Sequence, residues 1–380
     1  MKHLRPQLVA LGAAFYFLVS QPAFPQGSLT PPGPPGPTMK SLDQIEARTP
    51  ISSLPFVINK SGSYYLTRNL VTAGATAGIT VSADNVTIDL NGFALVGGGG
   101  AASGILAPGA QKSLSVRNGT IRNWGNGAIQ AGGSSSCIFE RLRVLDSGGG
   151  ANFVPGLVAG NASLVTDCIV TGGGGPGIVV NSNSTITRCV ASGNFFEGII
   201  CGDNSTVLQC TASNNSNTGM RVGSYGTVSQ CTASGNQGDG IIVGAGCTLS
   251  DSAAGGNGPY GFTADFGSTI RNCTARGNAD GFLVKGGCHL IGNTADLNRD
   301  IGFQVNGGSN RVEGNNATFN TGDGFSSTQV NQHNLFIRNA ANGNGGISYH
   351  IVSGNSFGTI VNLTAGGQGS STDSLANIIY

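Results

Sequence analysis

The sequence is poor in charged, aromatic and histidine residues. Charged residues make up 10% and aromatic residues 7% of the 380, there is one tryptophan, and the formal net charge is +1. With so little charge and no basic stripe, the chain has no surface suited to nucleic acid. Three histidines follow the N-terminal segment, His289, His333 and His350, and none shows ligand spacing or an adjacent nucleophile. The sequence therefore gives no support for a hydrolase triad or a mononuclear metal site.

Long apolar runs are also missing. The run from Leu8 to Val19 is too short to span a membrane and follows a basic N-terminus, which is typical of an export signal. We therefore predict a signal peptide at residues 1–23, followed by a stiff Pro- and Gly-rich linker at residues 24–39. This organisation predicts a secreted, periplasmic or cell-surface protein without a transmembrane anchor.

Glycine is abundant, with 64 residues, and it is periodic. A glycine opens a short apolar run twelve times, and from Gly156 onward the interval stays at 20 to 22 residues. A fixed period of this length indicates one structural unit wound repeatedly into a solenoid. The glycines are Gly104, Gly127, Gly156, Gly177, Gly198, Gly219, Gly240, Gly261, Gly281, Gly302, Gly324 and Gly346.

Residues 198–218 illustrate one unit. Three strand-like runs, at 198–201, 206–208 and 210–212, are separated by Gly, Asn, Asp and Ser, which tolerate turn conformations. Stacked units would pair each strand with its equivalent one period later, giving three parallel sheets. We predict about 12 coils of about 21 residues in an all-β fold.

Aligned units predict which side chains point inward. The residue after each glycine is expected to face the core, and this column is apolar except where the spacing shifts. Its predicted members are Ile178, Ile199, Met220, Ile241, Phe262, Phe282, Ile301 (displaced by one), Phe325 and Ile347.

A second column consists of asparagine. An Asn at a tight turn can bond to its own backbone and to the Asn of the next coil, so the column predicts a structural ladder. Its members are Asn194, Asn215, Asn236, Asn257, Asn278, Asn298, Asn320 and Asn344.

The coil length, the Asn ladder, the inward aliphatic stacks and the segment SGSYYLTRNL…GITVSADNVTIDLNGFALVG resemble secreted bacterial right-handed parallel β-helix proteins of the pectate-lyase-like superfamily. The resemblance implies a single-stranded right-handed parallel β-helix at residues 40–365, which includes an N-terminal cap. Residues 366–380 would be a C-terminal tail, and both ends of the solenoid would be capped.

The nine cysteines follow the repeat. Cys168, Cys189, Cys210 and Cys231 recur every 21 residues, and Cys273 resumes the column after Ser252. Parallel stacking points their Cβ atoms the same way, which works against disulfide geometry, so we predict buried free thiols that act as small hydrophobes.

Carboxylates before the repeat glycines are the candidate functional set. Glu197, Asp239, Asp280 and Asp323 occur on alternate coils, roughly 10 Å apart, near the upper end of the spacing of acid and base in an inverting glycosidase. An acid before Gly is also an ordinary turn choice. No metal site and no cofactor are predicted; calcium stays an option only where turn carbonyls add ligands.

The outward face of the first strand is mostly aliphatic, with Arg221 as its charge. Family motifs for polygalacturonases, pectate lyases and alginate epimerases are absent from the sequence. The first hypothesis is therefore a carbohydrate-contacting, binding or structural protein that faces a polysaccharide or the cell envelope. The alternative is a polysaccharide lyase, epimerase or glycosidase. Catalytic candidates are Glu197, Arg221, Asp239 and Asp280, and binding candidates are Tyr225, Tyr260, Lys285 and Asp323.

Overall fold

The computed structural model describes residues 46–72, 74, 76–100, 102–148, 153–364 and 371–380. The predicted signal peptide and linker lie outside the described residues. From Arg48 to Tyr380 the chain forms one compact unit, and this unit is an all-β parallel solenoid without a helix among the described residues. Accordingly, this part of the chain contains no helix that could cross a membrane.

The strands, in chain order, are β1 Thr49–Ile51, β2 Phe56–Ile58, β3 Gly62–Leu66, β4 Leu70–Val71, β5 Ile79–Val81, β6 Val86–Asp89, β7 Ala94–Val96, β8 Ile105–Leu106, β9 Ser115–Arg122, β10 Ile129–Ser135, β11 Ile138–Leu145, β12 Leu157–Asn161, β13 Leu164–Thr166, β14 Ile169–Thr171, β15 Ile178–Val180, β16 Thr185–Thr187, β17 Val190–Ser192, β18 Ile199–Cys201, β19 Thr206–Leu208, β20 Thr211–Ser213, β21 Met220–Val222, β22 Thr227–Ser229, β23 Thr232–Ser234, β24 Ile241–Val243, β25 Thr248–Ser250, β26 Ala253–Gly255, β27 Tyr260–Ala264, β28 Thr269–Arg271, β29 Thr274–Arg276, β30 Asp280–Val284, β31 His289–Ile291, β32 Thr294–Asp296, β33 Phe303–Val305, β34 Arg311–Glu313, β35 Asn316–Thr318, β36 Phe325–Ser327, β37 Leu335–Ile337, β38 Ala340–Asn342, β39 Tyr349–Ile351, β40 Ser356–Phe357, β41 Ile360–Asn362 and β42 Asn377–Ile379.

Three short strands per coil confirm the predicted unit. The first strands of successive coils form a 14-stranded parallel sheet, which we call the first sheet. The second and third strands form one sheet of 28 strands instead of two separate ones. The reason lies in β9 and β11, which run without interruption through both positions and pair with each other along their length.

The solenoid has about 15 coils of roughly 21 residues, more than the 12 counted from the glycines. The additional coils come from the N-terminal region, where Pro55 precedes β2 and where Gly78, which was not counted among the repeat glycines, precedes β5. There β2 already belongs to the first sheet and pairs with β5. A count that begins at Gly104 therefore leaves out the first coils of the solenoid.

The inward column of the first sheet is apolar, as predicted, but two of its members were assigned wrongly. Phe303, not Ile301, pairs with Phe282 and Phe325, because Gly302 keeps the regular position. At the next coil Tyr349 occupies the column, whereas Ile347 is exposed. The five aromatic rings from Phe262 to Tyr349 stack at centroid distances of 4.7 to 5.1 Å.

The repeat glycine is explained by its neighbours in the next coil. A Cβ on Gly240 would lie 2.4 Å from the carbonyl oxygen of Gly261 and 2.8 Å from Nδ2 of Asn257. A side chain at this position would thus collide with the ladder of the following coil. In the coil of Tyr349, Ser348 stands at the position that the repeat glycine holds in earlier coils. Asn344 is the last member of this Asn column.

The Asn ladder is confirmed. Each Nδ2 donates to Oδ1 of the Asn in the next coil, at 2.8 to 3.2 Å. Each Oδ1 also accepts the backbone N–H of the preceding ladder residue, for example Asn215 N to Asn236 Oδ1 at 3.1 Å. The amides thereby bond to buried backbone groups at the turn, which the pairing of the strands leaves without partners.

All nine cysteines are buried free thiols, as predicted. They are more polar in role than small hydrophobes, since each of the repeating thiols bonds to the backbone: Cys210 Sγ lies 3.3 Å from the oxygen of Leu208 and accepts the N–H of Cys189 at 3.5 Å. Further along the solenoid Asn293 replaces the thiol in this column and accepts the N–H of Cys273. Burial raises the pKa of the Cys273 thiol to about 12.

The last strand returns to the body of the solenoid. β42 pairs in parallel with both β38 and β41, and the side chain of Asn377 accepts the backbone N–H of Asn339 at 3.0 Å. Residues 377–379 therefore extend the 28-stranded sheet. Asn377 also ends a shorter Asn ladder, which continues the cysteine column through Asn293, Asn315 and Asn339.

Candidate functional site

The first sheet presents two adjacent lines of side chains to solvent. One is the outward column, formed by the middle residues of its strands from Val158 to His350. The other is the acidic row, Glu197, Asp239, Asp280 and Asp323, whose members precede the repeat glycines. The row occupies alternate coils, and polar residues stand in the outward column on the coils between them. These residues are Arg221, Thr263, Gln304 and His350.

Glu197 and Arg221 form the first diagonal pair. Arg221 Nη2 lies 3.6 Å from Glu197 Oε1, and Asn217 Nδ2 donates to the same oxygen at 3.4 Å. The arginine side chain is 46% exposed, whereas that of Glu197 is 12% exposed. The guanidinium therefore keeps donors available to a ligand while the carboxylate is held in place.

Asp239 is held by the following coil. Its Oδ2 accepts the hydroxyl of Thr263 at 2.7 Å and its Oδ1 accepts the N–H of Tyr260 at 3.3 Å. Burial nevertheless raises the pKa of Asp239, outweighing these bonds and the attraction of Arg221. Because Arg221 is close enough to act on both Glu197 and Asp239, the three sequence candidates share one surface.

We expect Asp239→Asn to stabilise the protein at neutral pH. The folded state binds the proton on Asp239 more tightly than the unfolded chain, so stability falls as pH rises above the usual carboxyl pKa. The variant should have the higher Tm at pH 7, and the difference should vanish near pH 3. Asp251→Asn is the control, because its hydrogen bonds from Asn272 and Ser250 lower the pKa of Asp251. A lower Tm for Asp239→Asn at pH 7 would contradict the expectation.

Asp280 and Tyr260 lie on neighbouring strands and are register partners in the first sheet. Asp280 Oδ1 accepts the N–H of Ile301 at 2.7 Å, and burial together with the nearby charge of Asp300 raises its pKa. The hydroxyl of Tyr260 reaches two coils along and donates to Gln304 Oε1 at 3.2 Å. The tyrosine thus bridges the outward column instead of standing free.

Asp323 and His350 form a dyad. Nδ1 of His350 lies 2.7 Å from Asp323 Oδ2, and Asp323 Oδ1 accepts the N–H of Ile347 at 2.8 Å. In the tautomer that carries its hydrogen on Nδ1, His350 donates to the Asp323 carboxylate and leaves Nε2 as an acceptor. His350 was not assigned a role from the sequence, because the 27 residues that separate it from Asp323 exceed one coil and the outward register changes there.

Two binding candidates lie at the other edge of the first sheet, in the turn that follows its strands. Tyr225 is 69% exposed, and its ring lies against Gly246. Lys285 Nζ pairs with Asp265 Oδ1 at 2.7 Å and stands 5.9 Å above the ring of Phe266. The structure therefore separates Tyr225 and Lys285 from the acidic row.

An aromatic cluster beside Glu197 escaped the sequence analysis. Phe153 and Phe195 stack at 5.9 Å and are 48% and 57% exposed, and Phe196 packs against Phe153 at 4.9 Å. The following coil has Ser216 and Asn217 at the positions of Phe195 and Phe196. Comparing equivalent positions in neighbouring coils would have shown two aromatic residues where the repeat has polar ones.

The aliphatic members of the outward column are half-buried. Ile200, Ile242 and Leu283 are examples, and their register partners in the neighbouring coils include the polar residues Arg221, Thr263 and Gln304. They form short apolar strips between the polar pairs.

No group of three or more His, Cys, Asp or Glu side chains in the described part of the chain is arranged to hold a metal ion. The acids of the row stand on alternate coils, and calcium usually needs six to eight oxygen ligands.

These features define a right-handed parallel β-helix with a polar face on its first sheet. The chain belongs to the family described as the right handed beta helix region, whose model matches residues 55–217, 103–252 and 223–365. No curated protein is similar enough in sequence to be a relative.

Solved structures share the fold. The A-module of the mannuronan C-5 epimerase AlgE6 from Azotobacter vinelandii is 17% identical with a TM-score of 0.53, over 78% of this chain and 90% of that one. The pectate lyase Pel9A is 18% identical with a TM-score of 0.43, over 66% of this chain and 72% of that one. At these identities the likeness concerns the fold alone.

Proposed function

We propose that the protein binds a polysaccharide along the outward face of the first sheet. The observation that carries the proposal is the two-coil alternation of the face. Three acids contact a polar side chain in the next coil, as in Glu197 with Arg221, Asp239 with Thr263 and Asp323 with His350. Two coils span roughly 9.6 Å, since strands in a sheet are about 4.8 Å apart. That spacing is close to the length of an extended 1,4-linked disaccharide.

The apolar strips between the polar pairs suit the same kind of ligand. A sugar ring offers hydroxyls at its rim and C–H groups on its faces, so it can contact polar pairs and aliphatic side chains at once. Ile242 lies between Arg221 and Thr263 in register, which places an aliphatic surface between two hydrogen-bonding residues. Sites for small ligands and glycans commonly combine these two elements.

Other parts of the proposal rest on the sequence. The predicted signal peptide at residues 1–23 and linker at 24–39 would deliver the β-helix to the periplasm, the cell surface or the medium, where polysaccharides and the cell envelope are available. The AlgE6 module and Pel9A, which their names describe as an epimerase and a lyase, contribute a fold-level analogy and nothing about residues. The proposal includes neither a metal nor another cofactor.

The test compares two isoleucines that each neighbour an arginine on the adjacent strand. Ile242 is the register partner of Arg221 on the first sheet, and Ile169 is the register partner of Arg143 on the larger sheet. We expect Ile242→Arg to change affinity for soluble polysaccharides at least fivefold, because the new side chain stands on the proposed binding face. Ile169→Arg should leave affinity unchanged.

Affinity electrophoresis with polygalacturonate, alginate, xylan and a mixed-linkage glucan, in EDTA and in CaCl2, provides the measurement. Equal affinities for Ile242→Arg and the wild type, or retention by none of the polysaccharides, would overturn the proposal. Binding that appears only with CaCl2 would contradict the proposal, because the proposed site contains no metal ion.

A second candidate function, polysaccharide cleavage or epimerisation, is favoured by the dyad. In a neutral His350 held by Asp323, Nε2 can take a proton from a bound sugar, which is the task of a general base. Turnover of one of the same polysaccharides that His350→Gln abolishes would favour this function over binding alone. Binding with no turnover would favour the first.

A further inference from the structure

We propose that the ligand of this face is a neutral glycan, one ring of which stacks on the aromatic cluster of Phe153, Phe195 and Phe196. The inference rests on the proposed function and specifies the chemical class of the ligand. Two independent features lead to it, the charge of the face and the exposed rings beside Glu197.

The charge of the face disfavours a polyanion. The acidic row contributes four carboxylates, and Asp300 lies close enough to Asp280 to raise its pKa. Against these five stand Arg221, which is paired with Glu197, and Arg299, which donates to the backbone oxygens of Asn278 and Asn257. His350 is bonded to Asp323. A polyuronate lying here would place a carboxylate on each sugar beside a surface with excess negative charge.

Burial strengthens this argument. Asp239 and Asp280 are already poorly solvated, which is why burial raises the pKa of each. A second anion brought into the same region would meet less screening than at an open surface. A neutral sugar instead offers hydroxyls that donate to these carboxylates and accept from Arg221.

The aromatic cluster provides the apolar contact that such a sugar needs. Three phenylalanines pack together, and Phe153 and Phe195 are each about half exposed to solvent. Burying the exposed part of these rings against a ligand would be favourable. The cluster adjoins hydrogen-bonding groups, because Glu197 follows Phe196 directly and Arg221 and Asn217 contact Glu197. Aromatic rings beside these three polar side chains suit a pyranose whose hydroxyls are equatorial, as in gluco- and xylo-configured sugars. The faces of such a sugar carry only C–H groups, which can stack on the phenylalanine rings.

The test replaces the rings by residues that the repeat itself uses. The double variant Phe195→Ser, Phe196→Asn carries the side chains found one coil later at Ser216 and Asn217, so the fold accepts it. Phe266→Ser is the control, since Phe266 is 59% exposed at the other edge of the sheet. Affinities for cellohexaose, xylohexaose and hexagalacturonate are measured by isothermal titration calorimetry.

We expect cellohexaose or xylohexaose to bind more tightly than hexagalacturonate. The double variant should weaken binding of the neutral hexasaccharide at least tenfold, and Phe266→Ser should leave it unchanged. Tighter binding of hexagalacturonate, or undiminished binding by the double variant, would overturn the inference. If hexagalacturonate binds more tightly than both neutral hexasaccharides and Ile242→Arg alters its affinity, the inference fails and the proposed function stands. If no hexasaccharide binds, the inference fails, and the proposed function fails with it when none of the four polysaccharides of its own test is retained.

Discussion

Replacing Asn236 by alanine is expected to lower the free energy of unfolding by about 3–5 kcal/mol, since each buried polar group left without a partner costs roughly 1–3 kcal/mol. The Asn236 amide donates to the oxygens of Ala212 and Asn257 and accepts from the backbone and side-chain nitrogens of Asn215. Alanine removes all four bonds inside a dry turn. Partial relaxation of the turn keeps the loss below the sum of four separate penalties.

Urea denaturation followed by circular dichroism measures this loss. Gln237→Ala is the matched control, since Gln237 is the next residue along the chain and its side chain is exposed. We expect the control to change stability by no more than about 0.5 kcal/mol. Similar unfolding midpoints for the two variants would show that the ladder contributes little to stability.

Replacing Phe303 by alanine is expected to cost about 3–5 kcal/mol, the usual range for a fully buried phenylalanine. Its ring stacks between Phe282 at 4.7 Å and Phe325 at 4.8 Å and is 0% exposed. Alanine opens a cavity in a column whose neighbours are fixed by the pairing of their own strands, so the column cannot collapse onto the gap.

The same denaturation experiment with Phe266→Ala provides the comparison, because that ring is mostly exposed. An unfolding midpoint for Phe303→Ala as high as that of Phe266→Ala would contradict a tightly packed aromatic stack. A loss confined to part of the transition would instead show that coils near Phe303 unfold separately from the rest, as solenoids with nearest-neighbour coupling can do.

Much of the fold could be predicted from the sequence, because glycine, asparagine and an inward apolar residue each recur at a fixed position of successive coils. From Gly177 onward a side chain at the glycine position would collide with the Asn ladder, so glycine and Asn recur together, and both columns end near Asn344. Prediction was wrong where the period changes. Ile301 and Ile347 were placed inward by counting, whereas Phe303 and Tyr349 face the core.

The candidate site was predictable only in part. The acids could be recognised in the sequence because each precedes a repeat glycine. Their hydrogen-bonding partners lie in the next coil, and the sequence alone does not show which side chains meet between coils. The Asp323 and His350 dyad spans a longer coil, where residues 328–334 extend the turn between β36 and β37. Tyr225 and Lys285 were grouped with the acids by chemistry, yet the strand places them at the opposite edge.

The alternation on the first sheet gives the molecule two different repeat lengths. Backbone pairing and the ladder recur with every coil, whereas the surface pattern recurs with every second coil. A chain shortened by the coil of Arg221 would keep its backbone pairing but bring Ile242 next to Glu197, so the polar contact would be lost. A chain shortened by the coils of both Arg221 and Ile242 would bring Thr263 next to Glu197 and keep a polar neighbour there. Changes in the length of this protein that preserve its surface are therefore expected to come in pairs of coils.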